Sequence, residues 1–241
     1  MNLKLAGFSL AVLSTAFSIN VNAACNDISY SALTNAAESV LASGGTDGLE
    51  LNMWVTFVDE TGKVCEVTTT GSTGNLASRD EWLGSRVISA QKANTANAFS
   101  LNGLSISTGA LYAAVQPGGS LFGLQESNPV DAAAAYSGSA NSYGTKYDAL
   151  KGKRVGGVNV FGGGLAVYKN GVKVGAIGVS GDTSCTDHAF AWKVRELLGL
   201  EGSPANVVEK LNLTDTFAGL GDHPHCGGDA NLDNQAAFGF Q

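Results

Sequence analysis

Charge is what this sequence has least of. Asp, Glu, Lys and Arg make up 15% of its 241 residues, against about 25% in an average soluble domain. No Lys/Arg-rich run occurs and the formal net charge is −7. The chain therefore lacks the basic footprint that nucleic acids and anionic membrane surfaces require of a partner. Short chemical signatures are missing too. Gly162-Gly-Gly164 is not followed by the Lys-Ser/Thr pair of a phosphate-binding loop, and Gly175-x-x-Gly178-x-x-Gly181 has neither the spacing nor the βαβ setting of a dinucleotide fingerprint. Ser180 lies in Gly178-Val-Ser-Gly-Asp182, where a hydrolase nucleophile elbow needs glycine in place of Asp182. There is no Cys-x-x-Cys, no His-x-x-x-His and no internal repeat.

What is present begins with an export signal. Lys4 supplies the positive end, and Leu5 to Ile19 form an apolar core too short and too rich in Ser, Ala and Gly to span a bilayer. Val21-Asn-Ala23 and Asn22-Ala-Ala24 offer small residues for cleavage. Residues 1–24 are therefore read as a signal peptide, the product as periplasmic or secreted, with no membrane span after processing. Cys25 stands where acylated cysteines stand, but Asn22 replaces the usual leading Leu, so lipidation is not expected. Four cysteines in an exported chain favour disulfides. Of the three pairings they allow, Cys185–Cys226 and Cys25–Cys65 are the expected ones. The first closes a loop of 41 residues, worth ~4 kcal/mol in the chain-entropy picture.

The apolar pattern predicts an α+β fold. A helix is expected over 28–42, with Leu33, Ala36, Ala37, Val40 and Leu41 on one stripe. Leu51 to Val58 alternates as a strand whose second face, with Trp54 and Val58, must also be covered, and Val64 to Thr69 returns beside it. Ser78-Arg-Asp-Glu81 is a capping box for a second helix running through Trp82, Leu83 and Val87 toward Phe99. Its half from Ser89 to Phe99 is rich in Ala and Asn, which lets another backbone approach. Arg79 and Arg86 read as a solvated face. A short helix is expected over 108–115. Residues 116–157 read as a long irregular insertion, the kind that is functional or covered by a partner. Leu165–Tyr168 and Val172–Val179 flank Lys-Asn-Gly, a hairpin with a type I′ turn at Asn170-Gly171. The last long helix is expected from Thr183 to Leu198, with a second capping box at Ser184-x-x-Asp187 and a core stripe of Phe190, Val194, Leu197 and Leu198. Ser203-Pro204 reads as opening a short helix to Leu211, and the rest as a disulfide-pinned tail, 201–241. Hairpins between helices mean an antiparallel sheet flanked by helices.

Several residues carry candidate chemistry. The glycines Gly162, Gly163 and Gly164 serve tight packing or leave bare backbone for a flat ligand. Residues from Asp182 to Asp187 open a helix, where free amides favour an anion unless side-chain caps occupy them. Lys92 lies in the small-residue half of the second helix, offset from the arginines. His188 falls in the last helix's first turn, and His223 and His225 flank Pro224 beside Cys226; neutral imidazoles bind zinc, copper and iron. A Cys185–Cys226 bridge brings all three histidines into one neighbourhood. Asn212-Leu-Thr214 matches a glycosylation acceptor.

Gln91-Lys-Ala-Asn-Thr-Ala-Asn-Ala-Phe99, Gly162-Gly-Gly164 before a strand, and Val174-Gly-Ala-Ile-Gly-Val-Ser-Gly181 before the last helix occur in that order. In these segments the chain resembles the GlcG/HbpS-like family of haem-binding or haem-degrading domains, which is also similar to the C-terminal part of some PduO proteins. The resemblance covers about 28–200. It implies a profilin-like layered sandwich, homo-oligomers, and haem or a related tetrapyrrole as ligand. It assigns no iron ligand. Given such a ligand, the residues themselves suggest a surface of Lys92, Tyr112, Phe161, Gly162–Gly164, Asp187 and His188, with propionates at the helix start or Lys92, and His188, His223 and His225 as candidate metal ligands, His188 first. The insertion and the tail are absent from shorter members. Two other functions stay open: an enzyme acting on haem or a bound metal, and an oligomeric accessory protein without ligand.

Overall fold

The computed structural model describes residues 24–44, 48–73, 81–201, 206–227 and 238–241; residues 1–23 of the expected signal peptide lie outside them. Helix α1 spans Tyr30–Ser43. Ser29 caps it by accepting the Ala32 amide at 3.2 Å, and Gly44 ends it at φ 63. Strands β1 (Trp54–Asp59) and β2 (Val64–Thr69) form a hairpin. Helix α2 runs Gly84–Phe99 and is followed by β3 (Leu104–Ile106) and α3 (Tyr112–Val115). The insertion contributes α4 (Leu124–Ser127) and α5 (Ala132–Ala135). Strands β4 (Gly164–Lys169) and β5 (Val172–Ser180) lead into α6 (Ser184–Leu197). Short strands β6 (Asn206–Val208), β7 (Asn212–Leu213) and β8 (Asp222–His223) complete the described tail.

The central sheet has the order β2-β1-β5-β4, antiparallel throughout. The β4–β5 turn takes positive φ at both expected positions, 51 at Asn170 and 77 at Gly171, as a type I′ turn requires. Period-2 alternation divides the sheet. Val55, Phe57, Leu165, Val167, Ile177 and Val179 pack under α1 and α6, against Leu33, Val40, Phe190 and Val194. Trp54, Val58, Val67 and Ala176 face α2, meeting Val87, Ala90, Ala93 and Ala96. This is the expected α+β sandwich. No helix among the described residues is long and apolar enough to cross a membrane.

The small-residue half of α2 allows a very close approach to β5. A Cβ on Gly178 would lie 2.0 Å from the Ser89 carbonyl oxygen and 2.4 Å from the Ala93 nitrogen. Both are backbone atoms that cannot swing aside. Gly178→Ala is therefore expected to destabilise the protein by at least the ~1–3 kcal/mol typical of overpacking, read as a lower urea midpoint with an unchanged slope.

Several local expectations differ from the structure. Ser78 and Arg79 lie outside the described residues, and α2 starts only at Gly84, so Trp82 and Leu83 precede it and stand 55% and 44% exposed. Arg86 is not on a solvated face. It is buried and bidentate to Asp148, with Nε to Oδ2 at 2.9 Å and Nη2 to Oδ1 at 2.5 Å. The insertion is not structureless: Ala135, Tyr143, Leu150 and Val155 join the α2 side of the core, drawn in by that arginine. The cap of α6 is Thr183, which accepts the Thr186 amide, one residue ahead of the expected box. Leu197 is exposed rather than core. After 202–205, which are not described, residues 206–208 form β6, parallel to β3, in place of a helix.

The tail packs as part of the domain. Leu211 and Phe240 join Ile106, Ala110, Leu111, Val115, Val160 and Ala189 in a third apolar cluster. Arg195 on α6 holds Glu209 through two 2.7 Å hydrogen bonds. Both expected disulfides form: Cys25–Cys65 and Cys185–Cys226.

Candidate functional site

The start of α6 is the junction on which Lys92, Gly162–Gly164, Asp187 and His188 meet. Its amide groups are already claimed. Besides the Thr183 cap, the Asp187 carboxylate accepts the Asp182 amide at 3.0 Å, and Asp182 in turn accepts the Leu49, Leu51 and Thr183 amides. In the first turn itself the Cys185 amide donates to Cys226 Sγ at 3.2 Å and the Asp187 amide to the Thr183 carbonyl at 2.8 Å, so three of its amides are already engaged. Lys92 reaches across from α2. Its Nζ donates to Asp187 Oδ2 at 2.7 Å and to the Val179 carbonyl at 3.0 Å, and both side chains are buried. Burial raises the Asp187 pKa to about 6 although Lys92 opposes the shift, and the same desolvation lowers Lys92.

The glycine triplet lies directly against this pair. A Cβ on Gly162 would meet the Ser184 carbonyl at 2.3 Å and His188 Cβ at 2.9 Å; on Gly163, the Val179 carbonyl at 2.5 Å and Lys92 Nζ at 3.2 Å; on Gly164, Thr108 Cγ2 at 2.3 Å and the Lys92 carbonyl at 2.6 Å. Gly163 also holds φ 116. The room left by the missing side chains is filled by the protein's own backbone and side chains, which bind α2, β4 and α6 into one unit.

The histidines occupy three different environments. His188 is fully buried on α6, and neither ring nitrogen completes a hydrogen bond among the described residues. Burial, reinforced by His223 and Arg195, pushes its pKa down to about 3; the Gly239 amide facing the ring offsets only part of this. His223 is also buried, but its Nδ1 lies 2.9 Å from the Pro224 carbonyl and its Nε2 accepts the Gly162 amide at 3.4 Å. His225 is exposed. The three do not converge into a three-ligand metal site. Among the described residues, the groups with metal-ligand proximity are Cys185, His223 and Cys226, and Cys25, Asp59 and Cys65. In both, the two sulfurs are tied in a disulfide, which removes the thiolates a metal would need.

Aromatic rings gather beside His223. Tyr112 lies 6.2 Å from Phe161, 5.2 Å from Phe217 and 5.4 Å from His223, centroid to centroid. Phe161 and Phe217 are 46% and 39% exposed, so this cluster presents a wet apolar edge. Phe217 also borders a cavity of about 800 Å³ lined by Phe99, Ile106, Leu111, Leu121 and Leu220, within the size range of small-molecule pockets. Tyr112 and Phe161 thus meet in space as expected, with His223 beside them, whereas Lys92, Asp187 and His188 lie beneath the surface. Phe217 and the residues covering His188, Gly239 and Phe240, carry no local sequence signal. They reach the site only through tail pairings.

Comparison with known proteins adds three findings. Solved structures similar to this chain include the Klebsiella pneumoniae protein ORFY, 22% identical, covering 73% of this chain and 92% of that one at a TM-score of 0.49. They include a PduOC:heme complex, 24% identical, covering 73% of this chain and 97% of that one at 0.49. A double mutant of Streptomyces reticuli HbpS is 15% identical and covers 81% of this chain and 99% of that one at 0.46. The search of curated proteins found no match. A profile described as "Haem degrading protein HbpS-like" matches residues 33–196, from α1 to the end of α6 and including the insertion. The chain belongs to the HbpS-like family of haem-degrading proteins.

Proposed function

We propose that this protein is exported and binds haem or a related tetrapyrrole in the lobe between α3, α6 and the tail. The observation that carries the reading is His188, a buried neutral imidazole whose ring nitrogens complete no hydrogen bond among the described residues and which Trp192 and Phe240 flank. Neutral imidazole in apolar surroundings is the donor environment that haem iron takes from proteins, and the family is described by that cofactor. Haem, when bound, supplies the iron's own ligand and redox chemistry. This chain's residues do the holding. His188 offers the nitrogen. Tyr112, Phe161 and Phe217 offer flat apolar contact of the kind aromatic side chains supply. Lys92, Asp187 and the Gly162–Gly164 strand fix the start of α6, and so the position of His188. His223, with its Nδ1 bonded to a carbonyl, is the second imidazole within the lobe, and His225 is the one at the surface.

Export is supported by the leader and by the pairing of all four cysteines, as expected in an oxidising compartment. Self-association belongs to the same proposal and is supported by the low charged fraction of the chain, 15%.

Titrating the purified protein with haemin is expected to give a saturable Soret shift, and His188→Ala is expected to weaken binding at least tenfold. No shift would remove the reading. Native mass spectrometry of protein from its own host reports ligand mass and subunit count together. Loss of bound haem with a reductant present, faster than for free haem, would add turnover to binding.

A further inference from the structure

His188 raises a question that binding alone does not answer. Buried polar atoms in native proteins almost always find partners, yet neither nitrogen of this fully buried ring completes a hydrogen bond among the described residues. What closes the site is a short piece of tail. Phe240 packs edge-on to the imidazole at 5.6 Å between centroids, and Trp192 stands on another side at 6.1 Å. Gly239 passes so close that a Cβ there would lie 2.7 Å from His188 Nε2 and 2.7 Å from Trp192 Cε3. Its φ of 90 belongs to the left-handed region as well, so only glycine fits. Among the described residues, the following contacts hold the cover. The Leu211 amide donates to the Gly239 carbonyl at 2.8 Å, the Gln241 amide donates to the Leu211 carbonyl at 3.0 Å, Phe240 is buried, and Lys193 lies 4.8 Å over the Phe238 ring. The rest of the tail is anchored independently, by Cys185–Cys226 and by Arg195–Glu209.

We propose that residues 238–241 form a displaceable cover over His188, so that the imidazole becomes available to the iron of a planar metalloporphyrin only when this segment lifts. The inference rests on the haem-binding reading above and adds its regulation. Lifting Phe240 uncovers a continuous apolar wall, since Ile106 and Leu111 belong to the same cluster and also line the large cavity. The ligand then competes with the cover for one surface, and its apparent affinity is reduced by the fraction of molecules that are covered. The charged and titratable groups that bear on the ring are His223, Arg195 and Lys92; none of them donates to or accepts from it.

The test uses Gly239→Val, whose side chain cannot seat against His188. Two readouts are taken on the wild type, this variant and Gly239→Val/His188→Ala. The first is the rate at which diethyl pyrocarbonate modifies His188, mapped by mass spectrometry, with the exposed His225 as internal standard. The second is haemin affinity. The expected result is a protected His188 in the wild type, at least tenfold faster modification in Gly239→Val, at least tenfold tighter haemin binding by that variant, and loss of the gain in the double variant. Wild-type His188 reacting as fast as His225, or an unchanged rate in Gly239→Val, overturns the cover. A gain in haemin affinity that survives His188→Ala overturns the role of His188 beneath it. Uncovering without a Soret change in any variant sinks the haem reading while the cover stands. Should Gly239→Val not fold, Phe240→Ala, which adds no atoms, gives the same two readings.

Discussion

Arg86→Ala is expected to destabilise the protein by about 3–5 kcal/mol, the range for removing one partner of a buried ion pair. The arginine fills several roles at once. It grips Asp148 through two hydrogen bonds, donates to the Ala135 carbonyl at 2.9 Å, and lies 3.6 Å over the Tyr143 ring. Among the described residues, alanine would leave the buried Asp148 carboxylate with the Gly144 and Leu150 amides as its hydrogen-bond donors. Much of the cost is that stranded charge and not the intrinsic worth of the pair. The apolar double variant Arg86→Met/Asp148→Leu is thus expected to recover a large part of the loss. Urea unfolding of the three proteins checks the order, and equal losses in the single and double variants would reject it. Because the pair ties the insertion to α2, hydrogen exchange is expected to accelerate first in residues 131–155 of Arg86→Ala.

In the ligand-free protein, stability is expected to fall as pH drops from about 6.5 toward 3, and His188→Phe to remove most of that dependence. The folded pKa of His188, about 3, lies below its ordinary value of 6.5, so the unfolded chain takes up the proton first. The contribution is fully present above pH 6.5 and is lost as pH falls through the folded value. At 1.36 kcal/mol per unit it is on the order of 4–5 kcal/mol. Asp187 acts in the opposite sense. Its folded pKa of about 6 lies above the ordinary 3.8, so its contribution is present below pH 3.8 and is lost as pH rises through 6. The difference between wild type and His188→Phe across pH 4–7 isolates the imidazole. Parallel stability curves for the two proteins would show that His188 is accessible to protons in the folded state.

The features readable from sequence are those specified by neighbours in the chain. Asn170-Gly171 dictated its turn, the stripe of Leu33, Ala36, Ala37 and Val40 its helix, and the alternation around Trp54 a sheet covered on both faces. What escaped depends on partners far apart. Nothing local marks Arg86 as the receptor for Asp148, 62 residues on, so a buried ion pair looked like a solvated face. Trp82 and Leu83 fit the helical period, but Gly84 follows them and the helix begins there. The region after Ser203-Pro204 carried a plausible opening signal, yet Asn206–Val208 pair with β3 across about a hundred residues of chain. At the site, close packing at the glycine triplet was one of the two readings its sequence allowed, whereas the separate settings of the three histidines and the Gly239–Phe240 cover were not legible. Both depend on tertiary contacts that short motifs do not encode.

The bridge between Cys185 and Cys226 has one more consequence. Scission of any single peptide bond between them yields two pieces that stay covalently joined; a cut between residues 198 and 206 leaves α6 on one and the three tail strands on the other. Such a nicked molecule would run as one species on a denaturing gel and separate only after treatment with a thiol.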